Sequence, residues 1–180
     1  MKSFDSKGNV TDGGLNPPSR DRVARAIRQK LIAHGVLVRP IRAPDPVAGP
    51  RVETPQRVLI ADDYSDIADS LAMLLELAGL ATQVATRGDE ALRQAMQWHP
   101  HVCVLDIDMP GCNGRDIART VRQQSWAHRP VLIALTGWTA DEERRQTLDA
   151  GFDYYFIKPV EPARLVRIIQ QRVTSLTMSL

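Results

Sequence analysis

The chain has 180 residues, 43% of them hydrophobic and 24% charged, with a net charge of +2. That composition is that of an ordinary soluble globular protein, and the length fits one well-cored domain with an appendage better than two very small domains. The charge is split: residues 1–55 hold 10 Lys and Arg against 5 Asp and Glu, whereas residues 56–180 hold 13 against 16, which makes the longer acidic part a poor nucleic-acid binder by itself.

The first 14 residues, MKSFDSKGNVTDGG, have no apolar run of signal-peptide type, and nowhere do eighteen uninterrupted apolar residues occur. The two cysteines, Cys103 and Cys112, form no CxxC pair, which suits a reducing compartment. A cytoplasmic protein with no membrane segment is expected.

Seven of the twelve prolines precede residue 56, and "GGLNPPS" and "RPIRAPDPVAGPRVETP" read as extended linker. Between them one helix is predicted over about 20–34: Ser19 or Asp21 caps it, Val23, Ile27 and Leu31 form an apolar stripe, and Gly35 ends it. Residues 1–55 therefore read as a basic, proline-rich extension. Arg20, Arg22, Arg25, Arg28 and Lys30 surround the stripe, a pattern suited to packing on the rest of the chain, to self-association or to docking on a partner protein. The modest charge and the lack of interleaved aromatic residues argue against nucleic acid.

From Arg57 onward, short apolar runs alternate with longer helical ones. "RVLIA", "ATQVA", "HVCVLD", "PVLIALT" and "FDYYFIK" each precede a helical segment, which makes five strand–helix units. In the first helical segment, "DIADSLAMLLELAG", Ile67, Leu71 and Leu74 are expected to face the core. The alternation predicts an α/β fold, a doubly wound parallel sheet with helices on both faces and right-handed crossovers. Ligands of such sheets bind beyond the carboxyl ends of the strands. The residues there are Asp62 and Asp63 after the first strand, Asp106 after the third, Thr136 after the fourth and Lys158 after the fifth.

Three carboxylates at one edge repel each other unless a cation sits among them, and an all-oxygen set suits Mg2+. A lysine and a threonine hydroxyl are common auxiliaries of phosphoryl transfer, and an aspartate can accept the phosphoryl group as an acyl phosphate. The pieces "DD", "AxxGDEAL", "LDIDMPGCNG", "LTG" and "KP" occur in that order, and residues 57–175 thereby resemble a response-regulator receiver domain of two-component signalling. The resemblance implies a flavodoxin-like (βα)5 fold with strand order 2-1-3-4-5, an order that the resemblance supplies and periodicity does not. It places the receiver over 56–180, with Asp106 as phosphoacceptor. It implies an Mg2+ site made by Asp62, Asp63, Asp106 and the backbone carbonyl of Asp108. Thr136 and Lys158 would contact the phosphoryl oxygens, and Thr136 and Tyr155 would form the switch. The Lys158–Pro159 bond fits a family feature that is cis in some members.

The implied partner is a histidine kinase or histidine phosphotransfer protein, with a downstream protein reached by contact. With no output domain before Leu180, a stand-alone receiver rather than an enzyme is expected. Trp138, two residues after Thr136, and Asp108, two after Asp106, fall near the mouth of the site. "LDIDMP" also fits the D-x-D motif of haloacid-dehalogenase-type phosphatases, but their acidic metal pair follows the lysine, whereas here "DD" comes first. A non-phosphorylated interaction module is the third reading. His99, His101 and Cys103 alternate as ligands on a strand face would, with Pro100 interrupting them and Cys103 expected in the core.

Overall fold

The structure, a computed structural model, describes residues 55–177 and, ahead of them, Arg25, Ala26, Gln29 and Ala33. Those four are helical and exposed, inside the helix expected over 20–34; the stripe Val23, Ile27 and Leu31 and the proline-rich linker lie outside the described residues.

The elements alternate strictly: β1 (Arg57–Ala61), α1 (Ser65–Leu77), β2 (Ala81–Ala85), α2 (Gly88–Trp98), β3 (Val102–Asp106), α3 (Gly114–Arg122), β4 (Val131–Thr136), α4 (Asp141–Asp149), β5 (Tyr154–Ile157) and α5 (Pro162–Thr177). The strands form one parallel sheet in the order β2-β1-β3-β4-β5, a flavodoxin-like arrangement. The three central strands are almost wholly buried because helices cover both faces, which is why their sequences are continuously apolar rather than alternating.

Pleating divides the core into two layers. Val58, Ile60, Val102, Val104, Ile133 and Leu135 pack with Leu71 and Leu75 of α1 and Leu165, Val166 and Ile169 of α5. On the other face Leu59, Cys103, Leu105 and Leu132 pack with Ala91 and Ala95 of α2 and Ile117 and Val121 of α3. Each fully buried aliphatic side chain contributes about 1.5–3 kcal/mol, so Leu105→Ala at the sheet centre would cost several times the value of a surface contact.

Ile67 departs from its expected core position: it is 50% exposed, and α1 buries Ala68, Leu71, Ala72 and Leu75 instead, with Leu74 only partly buried. Ile67 lies about 100° around the helix from the wholly buried Ala68, on the flank of the face that α1 buries. α4 is the most weakly embedded helix, with Thr147 as its buried residue. Arg115 of α3 reaches across to it, donating to Thr147 Oγ1 (3.3 Å) and Gln146 Oε1 (3.3 Å) and pairing with Glu143.

Candidate functional site

Strand register brings the acids together. Ala61 pairs with Leu105, so the next residues along, Asp62 and Asp106, end their strands side by side. Even-numbered positions of β1 and β3 face the α1/α5 layer, and both aspartates continue that side past the end of the strands. Asp62 is 1% exposed and Asp106 5% exposed, whereas Asp63 is open to solvent. Oxygens of Asp62, Asp63 and Asp106 all lie within 4.8 Å of one another, a set able to hold a metal ion.

Thr136 pairs with Ile157, and the Lys158 amide donates to the Thr136 carbonyl at 2.7 Å, so the lysine begins level with the end of β4. Its side chain reaches β3: Nζ donates to Asp106 Oδ2 at 2.6 Å and lies 2.7 Å from Asp62 Oδ2. The Asp62 contact has the distance of an ion pair without hydrogen-bond alignment, which leaves that buried oxygen without a hydrogen-bond donor from the protein. Burial lowers the affinity of Lys158 for its proton, but the bond to Asp106 and the close negative charges of Asp106 and Asp62 outweigh it and the pKa is raised. Burial raises the pKa of Asp106, and the Lys158 bond and charge offset only part of that rise.

A hard divalent cation fits this set. The donors are carboxylate oxygens, one of them buried without a donor, and two buried acids share a single ammonium. Local turns hold the acids in place. Asp62 Oδ1 accepts from the Tyr64 amide (3.1 Å) and Asp106 Oδ1 from the Asp108 amide (3.3 Å). Two glycines permit the close packing around them: a Cβ at Gly114 would lie 2.3 Å from the Asp106 carbonyl oxygen, and one at Gly88 would lie 1.7 Å from the Cys112 carbonyl oxygen.

Trp138 ties the rim together. Its amide donates to Thr136 Oγ1 (3.1 Å), its indole Nε1 to Asp108 Oδ2 (2.7 Å), and its carbonyl accepts from the Tyr155 hydroxyl (2.6 Å). The expected residues Asp62, Asp63, Asp106, Asp108, Thr136, Tyr155 and Lys158 therefore stand around one edge. Sequence reasoning passed over Tyr64, whose ring centroid is 5.9 Å from Lys158 Nζ; its position directly after the acidic pair was the available signal. The Lys158–Pro159 peptide is cis.

The alternating His99, His101 and Cys103 do not form a ligand set. Cys103 is wholly buried, its thiol pushed up to about 12 by burial, while His99 ends α2 at φ 48°. His101 stacks on His128 with ring centroids 4.3 Å apart, and its Nδ1 accepts the Arg57 amide at 3.0 Å. This cluster lies at the amino edge of the sheet, opposite the acids.

Curated relatives include an uncharacterized 14.6 kDa protein of Leptolyngbya boryana, 35% identical over 63% of this chain and 87% of its own length. The DNA-binding response regulator MtrA of Mycobacterium tuberculosis is 32% identical over 66% of this chain, and the chain spans about half of its length. Among solved structures, a CheY-like receiver domain protein of Methanospirillum hungatei aligns with a TM-score of 0.64 at 26% identity, covering 71% of this chain and 100% of that one. CheY4 of Vibrio cholerae aligns with a TM-score of 0.61 at 28% identity, over 66% of this chain and 99% of that one. Residues 58–170 match the family model described as response regulator receiver domain, and the chain belongs to that family.

Proposed function

We propose that residues 56–180 form a receiver that accepts a phosphoryl group on Asp106 from a histidine kinase or histidine phosphotransfer protein, with residues 1–55 as a separate extension. The observation that carries this reading is the buried Asp106 carboxylate, flanked by Asp62 and Asp63 and bonded to Lys158 at an open sheet edge. In the reaction an Asp106 carboxylate oxygen attacks phosphorus, the P–N bond of the donor breaks, and an acyl phosphate forms. Oδ1, held by the longer of the two bonds to this carboxylate, is the oxygen freer to attack. Lys158 is positioned to follow the phosphoryl oxygens, and the Thr136 hydroxyl can donate to one while its oxygen accepts from the Trp138 amide.

Asp62, Asp63, Asp106 and the Asp108 carbonyl would hold Mg2+, which when bound supplies charge neutralisation for the phosphoryl oxygens. Movement of Thr136 toward the phosphoryl group would loosen the Trp138 segment and with it the Tyr155 hydroxyl bond, so Thr136 and Tyr155 serve as the switch. We assign the output to protein contact by a cytoplasmic receiver that turns over no substrate besides its own acyl phosphate. No helix among the described residues is long and apolar enough to cross a membrane.

The test is phosphotransfer from a kinase panel and from acetyl phosphate, with the labelled residue found by mass spectrometry. One phosphoryl group on Asp106, lost with EDTA and in Asp106→Asn, is expected. Equal labelling of the Asn variant would refute the assignment.

A further inference from the structure

Two large aromatic side chains stand at the rim of the site and remain open to solvent, Tyr64 at 64% and Trp138 at 58% exposure. Both contrast with Tyr155, whose ring packs against the core. Exposed rings of this size are retained without the benefit of burial, so their positions call for an explanation.

The two rings follow β1 and β4, and in the sheet these strands lie on either side of β3, which ends in Asp106. Tyr64 and Trp138 therefore flank the acceptor from opposite sides. Neither is loosely attached. Tyr64 is fixed at the start of α1 by its amide bond to Asp62 Oδ1 (3.1 Å), and its ring centroid lies 5.9 Å from Lys158 Nζ, the ammonium that bonds Asp106. The indole is held by its Nε1 bond to Asp108 Oδ2 (2.7 Å), and its backbone by bonds to Thr136 Oγ1 and the Tyr155 hydroxyl. Between Thr136 and Trp138 the rim is open, since a Cβ at Gly137 would meet nothing within 4 Å.

We propose that Tyr64 and Trp138 are specificity-determining residues that hold a planar aromatic leaving group of the phosphodonor, so that the site favours N-phosphoimidazole chemistry over phosphoramidates whose leaving group is not aromatic. The inference rests on Asp106 being the acceptor. In the transfer the P–N bond of the phosphorylated imidazole breaks as the Asp106 O–P bond forms. The electron pair stays on the ring nitrogen, and the ring departs as neutral imidazole when its other nitrogen carries the proton. At that moment the ring lies directly outside Asp106, where faces from both sides can stack on it. Ammonia leaving from phosphoramidate gains nothing from those faces. The indole is already fixed by its bond to Asp108, so little of its side-chain freedom is lost when the donor docks.

The experiment measures phosphorylation of the full chain with Mg2+ by N-phosphoimidazole and by phosphoramidate, and reads the ratio of the two rate constants. In Tyr64→Leu and in Trp138→Leu the ratio should fall about fivefold, the factor for loss of one aromatic contact of about 1 kcal/mol. Tyr64→Phe should keep the wild-type ratio, because it keeps the ring. Trp138→Phe should lie between, because it keeps an aromatic face and loses the bond to Asp108. An unchanged ratio in both Leu variants, or an equal fall with both donors, overturns the proposal. Absence of label on Asp106 in the wild type with either donor overturns the acceptor assignment and this inference together, and is told apart by that control.

Discussion

Replacing Lys158 by Met keeps much of the aliphatic stem and removes the charge that Asp62 and Asp106 share. In the protein as described, the ammonium is 2.7 Å from Asp62 Oδ2 and 2.6 Å from Asp106 Oδ2, and both carboxylates are buried while the ammonium itself is partly exposed. Breaking a fully buried pair costs about 3–5 kcal/mol because the remaining charge is stranded; with the lysine partly in water, about 2–3 kcal/mol is expected here. For a domain of this size that corresponds to a fall in Tm of roughly 10 °C. The assay is urea unfolding at pH 7 in EDTA, for wild type, Lys158→Met, Asp62→Asn and the double variant. Asp62→Asn removes one of the stranded charges, so the double variant should recover at least about 1 kcal/mol relative to the sum of the single effects. Added Mg2+ should restore part of the loss in Lys158→Met by supplying the missing positive charge. A single variant within about 0.5 kcal/mol of wild type in EDTA, or strictly additive effects, would show that the ammonium does not hold the acids together.

Three further outcomes are expected. Gly88→Ala should destabilise by about 2–4 kcal/mol despite the better helix propensity of alanine, because its Cβ would lie 1.7 Å from the Cys112 carbonyl oxygen; a thermal melt showing equal or higher Tm would refute the close packing. His101 is lowered from 6.5 to about 4, first by burial and then by the charges of His128 and Arg57, so its folded form resists protonation. The stability this contributes is present above about pH 6.5 and is lost as pH falls toward 4, about 1–2 kcal/mol after discounting for the solvated part of the ring. His101→Asn, which can accept the Arg57 amide without titrating, should flatten that window in urea midpoints taken at successive pH values. The Trp138 indole, bonded to Asp108 at the rim, should change its fluorescence when Mg2+ or a beryllofluoride phosphoryl mimic is added, and Trp138→Phe should remove most of that response; an undiminished response would place its source at Trp98 or Trp126.

The strands and the polar residues at their ends were legible in the sequence because both are local patterns. "VCVLD" and "VLIALT" are apolar at every position but the last, as suits strands covered on both faces, and the polar residue that ends such a run marks the ligand edge. Asp62, Asp106, Thr136 and Lys158 were found by that rule alone. The strand order came from family resemblance, since periodicity says which face a residue takes and not which strand is its neighbour. Only the tertiary structure decided what depends on register and on which face a helix turns to the sheet. Ile67 keeps helical spacing with Leu71 yet is exposed, because the face that α1 buries is centred on Ala68, Leu71, Ala72 and Leu75 and leaves Ile67 on its flank. Lys158 crosses over β4 to share its charge between Asp62 and Asp106, a choice set by pleat parity and by the Thr136–Ile157 register. The bond from Trp138 to Asp108, 30 residues apart, joins two loops whose sequences carry no trace of each other, since each loop takes its shape from the strand that precedes it and they meet only after β3 and β4 have paired.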